Sequence, residues 1–281
     1  MTTGNDCFNP RFQPCYLLRE SKIPCVVWFE DAVAHYGVPT IVFDFYILVP
    51  DTDLAAEVLV KAGWTLAKQK EPRIGTATVD TSHRCLNPPT PDRDCLPTKW
   101  DGIGTRPLPS KEPPGPTTTI LLPAANWNFP LPRFSHSRTV SYLDFFPPLL
   151  GLLDALIGSL LDNPHPDSSL WLHIMLHIGY LYQYVPALKK RDFAEGLKYE
   201  HRQYHFDTLS GMSEGLPFVR HQRLIREKLR QGTIQLQECS ADRNNEELFS
   251  GRREAEILAL MPRPAEESAG ESSSSDDQID K

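Results

Sequence analysis

The apolar positions between residues 23 and 49 follow strand, helix and strand periods in turn. Residues 23–29 form a short apolar run with two consecutive valines, which is typical of a buried strand. Residues 40–49 are rich in Val, Ile, Phe and Tyr, which favour a second strand. Between these runs, residues 32–36 predict one or two turns of helix, and Gly37 is suited to a left-handed C-cap. The pattern therefore predicts a strand–helix–strand unit.

A second helix and a further strand extend this unit. Asp51 or Asp53 is placed to cap the helix, because a carboxylate there accepts hydrogen bonds from the free amides of the first turn. Gly63 is suited to end the same helix. Residues 64–67 then resume as a strand, and residues 118–122 predict another strand later in the chain.

One carboxylate, Asp44, lies inside the second apolar run. Strand alternation places it on the same face as Val42, Tyr46 and Leu48. A carboxylate among apolar neighbours is costly unless it is paired, hydrogen-bonded or bound to a metal. Asp44 is therefore either a structural acid, satisfied by a backbone amide or an arginine, or a functional group.

The second half of the chain has helical periodicity. Apolar residues recur there at three and four positions, and Pro, Asn and Ser punctuate the segments. The predicted helices span residues 149–161, 169–185, 192–209, 216–231 and 245–260. A helical layer packed on a small sheet gives an α+β fold.

Composition divides the chain into three regions. The strand–helix unit occupies residues 1–135, with a proline-rich insertion at residues 68–116. Residues 136–262 are predicted to be helical. Residues 263–281 lack apolar periodicity and carry serines and acids, so they are expected to form a disordered acidic tail. The 26 prolines are about twice the average usage, which predicts extended connections.

Charge and hydropathy exclude several classes of function. A net charge of −7 argues against bulk affinity for nucleic acid. Residues 140–161 and 170–188 are apolar but interrupted by Asp, Pro and His, so they favour buried helices over membrane spans. The N-terminus lacks a basic segment followed by an apolar core, so we expect a cytoplasmic or nuclear protein with reduced thiols rather than a secreted one.

Residues 23–64 resemble the nucleotidyltransferase-fold superfamily, particularly its antitoxin-like and aminoglycoside-modifying branches. Those proteins have a Gly-Gly or Gly-Ser pair that opens a short helix, then Ala and Tyr-Gly, then a strand bearing Asp-x-Asp. Ala32, Tyr36 and Gly37 match the helix, and Asp44 matches the first acid. The same opening resembles that of a group of fungal proteins. The resemblance implies a small mixed sheet of nucleotidyltransferase type and, in an active member, Mg²⁺ as cofactor.

The chain departs from that pattern where the family binds its ligands. Phe29 and Glu30 take the positions of the glycine pair, and Tyr46 takes that of the second acid. Two Mg²⁺ ions need paired carboxylates, and a neutral tyrosine is a poor ligand for a hard cation. Phe29 blocks the approach of a triphosphate, and Glu30 and Asp31 repel it. The sequence therefore predicts a degenerate site in a non-catalytic ligand-binding or accessory protein.

A small polar or cationic ligand is the predicted occupant of the face around the first acid. The predicted pocket is lined by Glu30, Asp31, Asp44 and Tyr46. Two alternatives stay open. In one, Asp44, Glu30 or Asp31 and a later acid, for which Asp101 is an outside candidate, hold a single Mg²⁺ for nucleotidyl transfer to a small molecule. In the other, the helical half and residues 214–281 recruit a protein partner.

Two histidine pairs have the spacing that places imidazoles one helical turn apart, which suits metal binding. The pairs are His173 with His177 and His201 with His205. Neither pair has the glutamate that follows the first histidine in H-E-x-x-H metalloproteases, because Ile174 and Arg202 stand there. Two such helices facing each other would build a histidine–carboxylate site, but the pattern favours core histidines on aromatic-rich helices.

Overall fold

The computed structural model describes residues 9–67, 73–74, 77–78, 82–89, 117–131, 141–163, 169–212, 215–242 and 244–249. Within these residues the fold is α+β, as the sequence predicts, with helices on both faces of a five-stranded mixed sheet. Most of the predicted proline-rich insertion and all of the predicted acidic tail lie outside the described residues.

The strands of the described residues are short, and five of the seven form the main sheet. In chain order the strands are β1 (Val26–Val27), β2 (Phe45–Val49), β3 (Thr65–Leu66), β4 (Arg73–Ile74), β5 (Ala77–Thr78), β6 (Arg84–Asn87) and β7 (Thr119–Pro123). The order across the main sheet is β1-β2-β7-β6-β3, and β4 pairs with β5 separately. β2 and β7 are parallel, whereas the other neighbours are antiparallel. β2 therefore lies inside the sheet, between β1 and β7.

Helices before, between and after the sheet strands supply the rest of the fold. The α-helices are α1 (Gln13–Glu20), α2 (Phe29–His35), α3 (Thr52–Lys61), α4 (Leu149–Asp162), α5 (Ser169–Tyr184), α6 (Arg202–Leu209) and α7 (Leu216–Arg230). The segment Tyr142–Asp162, which contains α4, is long and apolar enough to cross a membrane by length and composition. Its apolar window is 56% buried inside the protein, as in the core helix of a globular domain.

β2 separates two hydrophobic clusters, because its side chains alternate between the faces of the sheet. Tyr46 and Leu48 point into the larger cluster, which includes residues of α2, α4, α5 and later helices. Phe45, Ile47 and Val49 point into the smaller cluster, which includes residues of α1 and α3. The alternation predicted for this strand is confirmed, and both of its faces are buried.

Local signals set the ends of α2 and α3. The Asp51 carboxylate accepts hydrogen bonds from the backbone amides of Asp53 and Leu54 at 2.9 and 3.0 Å, which confirms it as the cap of α3. Gly37 and Gly63 follow the two helices with φ of +90° and +99°. Glycine takes this left-handed conformation at little steric cost, so both predicted helix ends are confirmed.

The predicted strand over residues 40–49 is wrong in its first half. β2 begins at Phe45, opposite Thr119, where its parallel neighbour β7 also begins. Ile41 and Phe43 precede the paired region and are exposed to solvent. Asp44 therefore lies at a bend directly before β2 rather than within it. The first predicted strand is also shorter than expected, because Phe29 begins α2 instead of ending β1.

The single helix predicted over residues 192–209 is also wrong. The chain forms two 3₁₀ segments, Arg191–Gly196 and Tyr199–His201, before α6 begins. The helical path breaks at Lys198, whose backbone amide donates to the Asp154 carboxylate of α4 at 3.1 Å instead of to the preceding turn. A tertiary hydrogen bond thus replaces a helical one.

Candidate functional site

Phe29 forms a sharp turn between β1 and α2. Its backbone is left-handed, with φ of +51°, a conformation that costs a bulky residue about 1–2 kcal/mol. The ring is fully buried and packs edge-on against Tyr46, Trp127 and His173, with centroid separations of 5.2, 5.1 and 4.7 Å. Packing of the ring offsets the backbone cost, and the turn places Glu30 at the start of α2.

Asp31, the next acid of α2, is paired with a buried arginine. Arg11 Nε and Nη2 donate to the two carboxylate oxygens at 2.6 and 2.7 Å. The same guanidinium donates to the Thr117 hydroxyl and to the backbone carbonyl of Asp44, both at 3.3 Å. Bidentate pairs of this kind are strong and directional. Asp31 therefore anchors α2 to the N-terminal segment, and its carboxylate is committed to Arg11.

The side chain of Glu30 lies against helix α5. Its Oε1 atom lies 3.4 Å from His173 Nε2 and 3.9 Å from His177 Nε2. The two histidines are one turn apart on α5, and their ring centroids are separated by 4.4 Å. The side chains of Glu30, His173 and His177 are 17, 20 and 6% exposed, so the group is largely buried. We call these three residues the EHH cluster.

Hydrogen bonding leaves lone pairs inside the EHH cluster. His177 Nδ1 lies 2.7 Å from the backbone carbonyl of His173; because a carbonyl only accepts, Nδ1 carries the proton and donates it. In neutral His177 the Nε2 atom is then an acceptor that faces a carboxylate. Within the described part of the chain, Glu30 Oε2 and His173 Nε2 are buried without a hydrogen-bond partner. The described residues contain other such atoms, among them Ser159 Oγ and His201 Nε2, so these two are notable because they lie in one cluster.

Burial shifts the protonation of all three groups toward their neutral forms. The pKa of Glu30 is raised to about 7, chiefly by burial, with the charges of Asp31 and Asp44 adding to the shift. Burial lowers the pKa of His173 to about 3, and His177 contributes further. Burial lowers the pKa of His177 to about 4 despite its bond to the His173 carbonyl. At neutral pH both imidazoles are therefore uncharged.

Asp44 and Tyr46 occupy different environments from each other. The Asp44 side chain is half-buried, and burial raises its pKa while the charge of Arg11 acts in the opposite direction. Tyr46 is 2% exposed and lies in the larger cluster against Phe29. Of the four residues predicted to line one pocket, Asp31 and Tyr46 are thus packed against protein groups, and Glu30 faces α5.

The second histidine pair is held by the protein itself. His201 Nδ1 contacts the Asp154 carboxylate at 2.8 Å. His205 Nδ1 contacts the Tyr182 hydroxyl and its Nε2 contacts the Lys190 carbonyl, both at 2.9 Å. Both ring nitrogens of His205 are therefore occupied, whereas His201 is held through Nδ1 and its buried Nε2 has no hydrogen-bond partner within the described residues. Across the described ranges, the three-residue groupings suited to a metal ion comprise the EHH cluster alone.

Comparison with known proteins gives no guide to this site. No protein-family model, curated protein or solved structure matches the chain. The function is therefore inferred from the fold and from the side chains around α2, β2 and α5.

Sequence reasoning missed the partnership of Glu30 with α5. The spacing of His173 and His177 was a usable signal, and so was the position of Glu30 at the start of a helix. Their contact joins residues more than 140 positions apart, and no local pattern reports such a contact. Helix packing against the sheet brings the three side chains together.

Proposed function

We propose that this chain is a nucleotidyltransferase-like protein with a degenerate catalytic site, which acts as a non-catalytic ligand-binding or accessory protein. The mixed sheet, with α2 between antiparallel β1 and β2, supports the proposal. So does the left-handed backbone of Phe29, which stands where the resemblance expects glycine. A backbone shape suited to glycine is consistent with a turn inherited from a glycine-containing ancestor.

The burial of Tyr46 is the main observation in support of a loss of catalysis. Two-metal phosphoryl chemistry needs a second carboxylate next to Asp44. Tyr46, which stands at that position in the resemblance, is buried against the Phe29 ring. A phenol in an apolar cluster is neutral and has no path to a hydrated Mg²⁺. Asp44 is left as a single acid.

The parallel neighbour of β2 offers no replacement acid. β7 carries Thr, Ile, Leu, Leu and Pro over Thr119–Pro123, and Ala124 and Ala125 follow. Asp101, the outside candidate from the sequence, lies outside the described residues. At the start of α2, Asp31 is neutralised by Arg11, and Glu30, whose pKa is raised to about 7, keeps only part of its negative charge; neither side chain offers a positive charge to a triphosphate.

Calorimetry with nucleotides tests this proposal. The full chain is titrated with ATP and with GTP in the presence of Mg²⁺, beside the variant Asp44→Ala and the matched variant Asp51→Ala, which removes an acid from the cap of α3 instead. We expect no Mg²⁺-dependent nucleotide binding by any of the three proteins. Binding by the natural chain and by Asp51→Ala that is abolished in Asp44→Ala would overturn the proposal and favour nucleotidyl transfer through Asp44.

A further inference from the structure

We propose that the EHH cluster, Glu30 with His173 and His177, is a binding site for a divalent transition-metal ion such as Zn²⁺. The ligand atoms of these three residues all lie within 4.8 Å of one another. The proposed ligands do not include Asp44, where the resemblance implies Mg²⁺, and the proposal does not depend on the proposed function.

The distances in the EHH cluster fit a metal ion better than direct contacts. Zn²⁺ binds imidazole nitrogen and carboxylate oxygen at about 2.0–2.2 Å, so the ligands of a tetrahedral ion lie about 3.3–3.5 Å apart. The observed separations from Glu30 Oε1 are 3.4 Å to His173 Nε2 and 3.9 Å to His177 Nε2. A hydrogen bond needs a shorter approach than 3.9 Å. All three ligand atoms lie within 4.8 Å of one another, so an ion that binds all three requires them to approach by up to about 1.3 Å.

The electron pairs of the cluster also call for a cation. The Nε2 atom of neutral His177 and the carboxylate of Glu30 both present lone pairs to the same space, since Nδ1 carries the proton of His177. His173 Nε2 and Glu30 Oε2 are buried and have no hydrogen-bond partner within the described ranges. A metal ion accepts electron pairs from all three residues at once. An ion bound at Nε2 therefore satisfies His173, and an ion bound through both carboxylate oxygens also satisfies Glu30 Oε2.

The surroundings hold the three ligands in place. A metal-binding histidine usually donates its other ring N–H to a carbonyl or carboxylate, and His177 does so to His173. The Phe29 ring packs against both imidazoles, at centroid distances of 4.7 and 5.3 Å. Glu30 is positioned by the left-handed turn at Phe29 and by the Arg11–Asp31 pair one residue later. The strained turn thus has a role in preorganising the site.

The ligand atoms of the EHH cluster determine which ions the site can bind. Two imidazoles and one carboxylate suit Zn²⁺, Fe²⁺ and related ions, whereas Mg²⁺ and Ca²⁺ prefer oxygen ligands. Three protein ligands leave at least one coordination position for water or a small ligand, as in metal sites that exchange ligands.

Titration with Co²⁺ and Zn²⁺ tests the proposal. The full chain is stripped with a chelator and titrated with Co²⁺ while visible absorption is recorded, and Zn²⁺ is then added in competition with a chromophoric chelator. We expect one equivalent of Co²⁺ in a nitrogen–oxygen environment of low coordination number, displaced by one equivalent of Zn²⁺. In Glu30→Gln, which keeps the shape of the side chain, we expect affinity to fall by more than about 100-fold.

A second ligand variant and a matched control complete the design. His177→Gln should lose affinity to the same extent, whereas His35→Gln, the same change at an exposed residue of α2, should bind as the natural chain does. Circular dichroism establishes that each variant is folded. Should His177→Gln unfold, Glu30→Gln and the Co²⁺ spectrum of the natural chain still decide. Absence of binding by the folded natural chain, undiminished binding by Glu30→Gln, or thiolate-to-Co²⁺ charge-transfer bands, which assign the ion to cysteines, would each overturn the proposal.

Discussion

At the scale of single residues, Phe29 contacts both Tyr46 of the proposed degenerate site and the histidines of the EHH cluster. Its left-handed backbone is a costly choice for a phenylalanine, and its buried ring fills the space beside Tyr46. The ring also supports His173 and His177 of the EHH cluster. One residue therefore fills the turn before α2 and packs against two of the proposed metal ligands.

The strain at Phe29 has a measurable signature. We expect Phe29→Ala and Phe29→Gly both to lower the free energy of unfolding, by about 3–5 kcal/mol for the lost ring. Gly should be more stable than Ala by about 1 kcal/mol, because a left-handed backbone penalises any Cβ. Urea unfolding measures both variants. In the control Ala32→Gly, at a right-handed position of α2, glycine should instead cost about 0.5–1 kcal/mol. Equal or greater stability of Phe29→Ala would contradict the left-handed turn.

At the scale of elements, the sequence predicted what local chemistry decides. The Asp51 cap, the glycines after α2 and α3, and the extent of α4 all follow from residues close to one another in the chain. The errors arise where a distant group intervenes. The Asp154 carboxylate of α4 accepts a hydrogen bond from the backbone amide of Lys198, and this contact interrupts the helix predicted over residues 192–209. No periodicity in residues 192–209 carries that information.

Asp154 should therefore contribute stability in a pH-dependent way. Burial alone would raise its pKa, but hydrogen bonds and charge from His201, with hydrogen bonds from Lys198, lower the pKa below the usual value. A carboxyl whose pKa is lower in the folded state stabilises the fold above its unfolded pKa of about 3.9, and this contribution is lost as the pH falls through the folded value. We expect Asp154→Asn to cost about 1–3 kcal/mol at pH 7.

Urea unfolding at pH 7 and at about pH 3 checks this expectation, because the difference between Asp154→Asn and the natural chain should shrink at the lower pH. Asp53→Asn is the matched control. Asp53 pairs with Arg84 at 2.6 Å, but its side chain is 68% exposed, and exposed pairs contribute less than about 1 kcal/mol. A loss for Asp154→Asn that stayed constant with pH would show that the carboxylate charge is not what matters.

At the scale of the whole molecule, the sheet separates two hydrophobic clusters, and β2 contributes side chains to both. Alternation along β2 was visible in the sequence, so the existence of two buried faces was predictable. Which helix covers which face was not, because that depends on contacts between distant segments. The EHH cluster exists only through such a contact, since α2 precedes β2 and α5 follows the last strand of the sheet. The pocket that the sequence predicted around Asp44 therefore contains only one residue of the EHH cluster, Glu30.

Because β2 contributes to both clusters, we expect them to unfold together. Ile47→Val in the smaller cluster and Ile157→Val in the larger one should each cost about 0.5–1.5 kcal/mol. In the double variant, the loss of unfolding free energy should equal the sum of the two single losses within about 0.5 kcal/mol, since the two side chains lie in separate clusters on opposite faces of the sheet.

Tryptophan fluorescence and circular dichroism should report one coincident urea transition. Ile41→Val, at an exposed position, should change stability by less than about 0.5 kcal/mol. Two transitions that respond separately to the two buried variants would mean that the faces fold independently.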